Sequence, residues 1–102
     1  MLEYIPIEKE NIPYRFEIEL EAEVFEMEIR YNDLYDFFTI DLYKDGEPLV
    51  YGEKVVYGVP LFQDVRDSRF PAVDIVPKDE AGLENQVTYE NFQKTVFLAV
   101  VR

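Results

Sequence analysis

Residues 14–31, YRFEIELEAEVFEMEIRY, constrain the fold more than any other stretch of the chain. Phe16, Ile18 and Leu20 are apolar at even positions, and Phe25, Met27, Ile29 and Tyr31 at odd ones. Period-two alternation is the mark of a strand with one buried face. The change of phase requires a turn or a bulge, because one slipped residue flips every side chain. The pattern predicts a hairpin with residues 21–24 as its loop, although the loop lacks the usual Gly or Asn. That register pairs Leu20 with Phe25, Ile18 with Met27 and Phe16 with Ile29 on an apolar face. On the other face it sets Glu19 against Glu26 and Glu17 against Glu28, with Arg15 and Arg30 on the diagonals. Like charges directly opposite destabilise a sheet. Either the register differs slightly, or this acidic face meets a basic surface.

The same reasoning extends along the chain. NDLYD (32–36) has the composition of a turn. FFTIDLY (37–43) is a strand with Phe38, Ile40 and Leu42 on one face, and Phe37, Thr39, Asp41 and Tyr43 on the other. KDGE (44–47) is a tight hairpin turn, since Asp-Gly tolerates positive φ. Residues 48–58 follow as one strand or two, with Gly52 marking a bulge or a close backbone approach. Residues 59–62 read as a short extended segment, and 63–71 as a loop. A strand is expected over 72–76 and a loop over 77–86, with room for one helical turn after Pro77. Segments 87–92 and 95–101 read as a closing hairpin. Short strands separated by turn signals, with no helix of ten residues or more, predict an all-β fold. The architecture expected is one β-rich domain over residues 1–102, a small antiparallel barrel or sandwich built from hairpins. Apolar residues at 48 % are those of a globular chain.

Composition narrows the chemistry. The chain has no His and no Cys, so no Ser/His or Cys/His pair exists for nucleophilic catalysis. Any metal would need an all-oxygen site. Asp41, Asp45 and Glu47 offer oxygens but do not match a calcium-loop pattern, and a β-turn accounts for Asp45-Gly46. Glu17, Glu19, Glu26 and Glu28 could supply paired carboxylates, but alternating Glu on an amphipathic hairpin is normally the wet face. Lys54 reads as a snorkelling strand lysine. No catalytic residue, cofactor or metal is expected. The net charge is −12, and residues 1–36 hold eleven acids against three bases. Such a chain repels phosphate backbones, so direct nucleic-acid binding is not expected. No apolar run has the length of a membrane helix, and the acidic N-terminus does not resemble a signal peptide.

What remains is an excess of aromatic surface. Tyr35, Tyr43, Tyr51 and Tyr57 cluster with Phe37 and Phe38, and residues 37–43 carry aromatics on both faces. A small domain has one core, so a second apolar surface suggests assembly. Candidate interface residues are Glu17, Glu19, Glu26, Glu28, Tyr35, Phe37, Tyr43, Tyr51 and Tyr57.

Residues 30–62 resemble the small baseplate plug proteins of contractile phage tails. The shared pattern is an aromatic-rich strand, an Asp-Gly turn, then Leu and Gly leading to Gly-x-Pro-Leu-hydrophobic. It falls on Tyr35, Phe37, Phe38, Asp41, Leu42, Asp45, Gly46, Leu49, Gly52, Gly58, Pro60 and Leu61. The resemblance implies a β-rich, non-enzymatic virion part at the tail hub that helps close the tube channel. Its partners would be hub and tube-initiator subunits. Its location would be the tail baseplate, after a period in the bacterial cytoplasm before assembly. Two other readings compete. A DNA-mimic inhibitor would use its carboxylates to occupy a basic partner's cleft, and a carbohydrate-binding or hydrolytic β domain would need a cleft with convergent polar groups.

Overall fold

The structure, a computed structural model, describes residues 3–63 and 68–101. Seven strands run β1 (Glu3–Ile5), β2 (Tyr14–Leu20), β3 (Glu23–Asn32), β4 (Phe37–Lys44), β5 (Glu47–Lys54), β6 (Asp74–Lys78) and β7 (Phe97–Val101). β2-β3-β4-β5 form an antiparallel meander, and β1-β7-β6 form a smaller antiparallel sheet. Neither sheet closes on itself. The two share one apolar core, so the architecture is a sandwich and not a barrel. The larger sheet contributes Phe25, Met27, Ile29, Phe38, Ile40 and Leu42, all fully buried. The smaller contributes Ile5, Ile75, Leu98 and Val100.

The alternation in 14–31 assigns the faces correctly, but the pairing differs from expectation by two residues. Tyr14 pairs with Ile29, Phe16 with Met27, Ile18 with Phe25 and Leu20 with Glu23. The loop is therefore Glu21-Ala22, not 21–24. Both residues have positive φ, 51° and 66°, as the two-residue turn that suits strand twist requires. The shift has an electrostatic consequence. Arg15 now stands directly across from Glu28, Glu19 faces Val24, and within this hairpin only Glu17 and Glu26 remain opposed as like charges. Of the two alternatives open from sequence, the different register is what the structure shows.

A positive φ at a non-glycine residue strains the backbone by roughly 1–2 kcal/mol, while a new glycine loses about 0.5–1 kcal/mol of unfolded-state advantage. Ala22→Gly is accordingly expected to stabilise the protein by about 0.5–1 kcal/mol. The urea midpoint at unchanged slope measures it.

The Asp45-Gly46 turn forms as expected, with Lys44 opposite Glu47 and φ of 53° and 76° at its centre. β5 then slips against β4 twice, between Ile40 and Leu42 and between Leu42 and Tyr43. Gly52, at φ +70°, lies in the first slip, so the bulge read from sequence is present.

Several expectations for the second half need correction. Residues 59–62 are not an extended segment: Leu61 and Phe62 lie in a turn, Phe62 at φ 62°, with both side chains buried. This segment covers the outer edge of β6, with Gly58 N–H donating to Pro77 O and Leu61 N–H to Ile75 O, each at 2.8 Å. The strand expected at 72–76 is β6, displaced to Asp74–Lys78. Of the loop expected at 63–71, positions 64–67 lie outside the described residues. Residues 87–92 do not pair with 95–101 as a hairpin; turns occupy 89–91, an isolated parallel bridge joins Phe92 to Val96, and β7 pairs instead with β1 and β6. The reason is local. Asn91 accepts from Thr88 N–H at 2.9 Å, Thr88 Oγ1 accepts from Asn91 N–H at 3.1 Å, and Asn91 Nδ2 donates to Gln86 O at 2.9 Å. Those side-chain bonds hold the backbone in turns and out of a ladder.

Candidate functional site

The face of the larger sheet turned away from the core gathers most of the candidate residues. Parity places Arg15, Glu17 and Glu19 there from β2, and Glu26, Glu28 and Arg30 from β3. β4 contributes Phe37, Thr39, Asp41 and Tyr43. Register aligns Glu17, Glu26 and Tyr43 in one row, and Arg15, Glu28 and Asp41 in the next. Tyr51, from β5, meets Tyr43 edge-on at 6.0 Å between ring centres and stays 65 % exposed.

Two arginines organise this face. The Arg15 guanidinium lies 3.9 Å above the Tyr43 ring and donates to Glu28 Oε1 at 3.2 and 3.3 Å. Arg30 donates to Glu28 Oε2 and lies 3.4 Å from Asp41. Tyr43 and Asp41 therefore become buried although they point away from the core. The hydrogen bond from Arg30, seconded by that from Arg15, holds the Glu28 carboxyl below the usual carboxylate range. A carboxyl shifted in that direction stays ionised at neutral pH, the opposite of the general acid a glycosidase needs. Glu26 lies 4.0 Å from Arg15. Glu17 and Glu19 meet no cation among the described residues. The acidic ladder is thus neutralised through its middle and left bare along β2.

The remaining candidates lie at one end of the sandwich. Tyr35 sits in the turn between β3 and β4, 73 % exposed. With Phe37, Lys54, Val56, Tyr57 and Gln86 it lines an open cleft of about 270 Å³. Lys54 Nζ lies 4.7 Å from the centre of the Phe37 ring, so the lysine expected to snorkel does so, and across an aromatic that the sequence did not point to. Tyr57 is set apart from the face. Its hydroxyl accepts from Asp79 N–H at 3.1 Å, a tie between the end of β5 and the segment after β6. Asp41, Asp45 and Glu47, the oxygens weighed for a metal, do not converge. Asp41 is engaged with Gly52 N–H and Arg30, and Asp45 lies in its turn. Among the described residues no group of three metal-ligating side chains forms, and no helix is long and apolar enough to cross a membrane.

Sequence reasoning missed Asp36. Its carboxylate accepts from the Tyr31 hydroxyl at 2.7 Å and from Tyr89 N–H at 2.8 Å, fastening the β3–β4 turn to residues 87–92. The Asp36 hydrogen bond pushes the Tyr31 phenol up to about 12, from an ordinary 10.0. A folded value above the unfolded one gives stability that is complete below pH ~10 and lost as pH rises towards ~12. Ultraviolet titration is expected to show one tyrosine ionising last, and Tyr31→Phe removes that step. The same substitution weakens the fold at neutral pH but flattens its loss of stability in alkali.

The family model of the cyanophage baseplate Pam3 plug gp18 matches residues 2–102. No curated protein matches the chain.

Proposed function

The chain belongs to the phage baseplate plug family, and on that premise we propose that it is a structural component of a phage or prophage tail. It packs at the hub of the baseplate, against hub and tube-initiator subunits, and helps close the tail tube channel. It acts by fit and not by turnover. It accumulates in the bacterial cytoplasm and then becomes part of the virion.

The observation that carries this reading is a family match across nearly the whole chain. The fold supports it: a filled sandwich of 34 × 30 × 23 Å has the solid form that an obstruction requires. The interface proposed is the outward face of the larger sheet with the adjoining end cleft. It includes Glu17, Glu19, Glu26, Glu28, Phe37 and Tyr51, with Tyr43 supporting them from beneath Arg15 and Tyr35 at the rim. Exposed tyrosines over a charged network suit a protein partner, since they bring contact area with little entropy to lose.

The test is co-purification. The chain mixed with its hub and tube-initiator proteins is expected to form a complex that survives roughly 1 M salt, where exposed charge pairs are screened beyond about 3 Å. Failure to bind either subunit overturns the reading. A complex that salt dissolves favours the competing idea of an acidic inhibitor of a basic partner. The cations already seated on Glu28 and Asp41 weigh against that idea.

A further inference from the structure

Three of the four sheet edges are closed to another strand. β5 is bulged twice and carries Pro48. β6 contains Pro77 and is covered by residues 58–61. β1 has only three residues. Short, bulged, proline-bearing or covered edges are the ordinary ways a sheet avoids stray pairing. β2 has none of these features. It runs seven residues without a bulge and, among the described residues, pairs only with β3.

Its geometry fixes what it offers. A two-residue turn makes Leu20 and Glu23 a hydrogen-bonded pair, and hydrogen-bonded pairs then alternate along the ladder. Tyr14, Phe16, Ile18 and Leu20 therefore spend their backbone groups on β3. Arg15, Glu17 and Glu19 aim theirs outwards, and among the described residues nothing receives them. On the core side, Tyr14, Phe16 and Ile18 are only half-buried, whereas Phe25, Met27 and Ile29 on β3 are wholly so. On the other side stand Glu17 and Glu19, which meet no cation among the described residues.

We infer that β2 is a docking edge for an extended segment of a partner protein, which adds as a fifth strand to the larger sheet. Residues opposite one another share a face. The incoming strand therefore places Lys or Arg against Glu17 and Glu19, and apolar side chains between them against Phe16 and Ile18. A second copy of this chain fits poorly. Pairing β2 with β2 sets Glu17 against Glu17, and Arg15, already held by Glu28 and Tyr43, cannot answer Glu19 without leaving them. The inference rests on the reading of this chain as a docking component, and names the edge and the chemistry it accepts.

The probe is a capped synthetic peptide of alternating lysine and valine, matched in length to β2, added to the intact protein. Binding is expected to slow hydrogen exchange at the amides of Arg15, Glu17 and Glu19. The same peptide N-methylated at its lysines keeps its charge but loses its outward donors. It is expected to bind at least roughly tenfold more weakly, since each backbone bond contributes about 1 kcal/mol. Equal affinity for the two peptides, or no slowing at these amides, overturns the proposal. So does a dimer of the chain alone that Glu17→Pro dissociates, which would make a second copy the occupant. The Glu17 N–H points away from β3, so Pro there blocks the edge without removing a ladder bond. A folded Glu17→Pro that still enters the hub complex removes the edge and leaves the baseplate reading standing; absence of any complex with the wild-type chain strikes that reading instead.

Discussion

Replacing Phe38 with Ala is expected to lower stability by about 4 kcal/mol, and the melting temperature by on the order of 15–25 °C. Phe38 is fully buried. Its ring stands 4.5 Å from Phe92 and 4.8 Å from Tyr31, with Tyr89 stacked at 6.2 Å. It is the point at which β4 of the larger sheet grips the turn-rich segment leading into β7. Truncation removes the transfer energy of a whole ring and leaves a cavity that rigid β neighbours close only in part. A domain of this size has about 5–15 kcal/mol in all, so much of its margin is lost. Phe37, one residue away, faces outwards under Lys54 and is only partly covered. Phe37→Ala is expected to cost about 1 kcal/mol. Chemical denaturation of both variants measures the ranking, and a reversed ranking would mean that β4 presents its other face to the core.

That contrast also shows what the sequence disclosed. Side-chain direction follows backbone parity, whichever strand lies alongside. The faces of residues 16–20, 25–31 and 37–43 were therefore legible from alternation alone. Register was not. A shift of two residues leaves every face unchanged, so the apolar pattern cannot tell a Glu21-Ala22 turn from a loop over 21–24. Turn chemistry could have decided it, as it did at Asp45-Gly46, but neither Glu nor Ala announces positive φ. β1 was missed because three residues become a strand only through pairing with β7, some ninety positions away.

The candidate surface was legible to the same degree. Alternation located Glu17, Glu19, Glu26 and Glu28 on one side, and Tyr43 with them. It did not show that Arg15 would lie flat on Tyr43, or that Arg30 would reach Asp41. Those contacts depend on which residues are opposite, and so on the register that alternation leaves free. Tyr57 looked like its neighbours in composition, yet its hydroxyl is taken by Asp79 N–H. An aromatic's role as surface or brace is set by long-range geometry that local sequence does not encode. Asp36 and Asn91 fall in the same class, since their partners are backbone amides brought close by the fold.

Asp41 carries the second large prediction. It points towards the outward face but is only 3 % exposed. Its Oδ1 accepts from Gly52 N–H at 2.7 Å, and its Oδ2 lies 3.4 Å from Arg30. The first bond answers a donor that the bulge withdraws from the β4–β5 ladder, and Gly52 supplies the positive φ that brings that donor within reach. Asp41→Ala leaves the Gly52 amide without its partner and frees Arg30. The expected loss is about 1.5–3 kcal/mol, because a hydrogen bond to a charged acceptor is lost together with the packing of a side chain that is itself buried. Asp41→Asn retains a carbonyl oxygen for Gly52 but no charge for Arg30, and is expected to recover roughly half of that loss. The distribution of the damage separates a local brace from general instability. Amide exchange should quicken over β5 well before β3, as an edge strand that has lost its bulge anchor opens by a local route. Uniform acceleration across both sheets would show that Asp41 supports the core as a whole and not the attachment of β5, the strand that presents Tyr51.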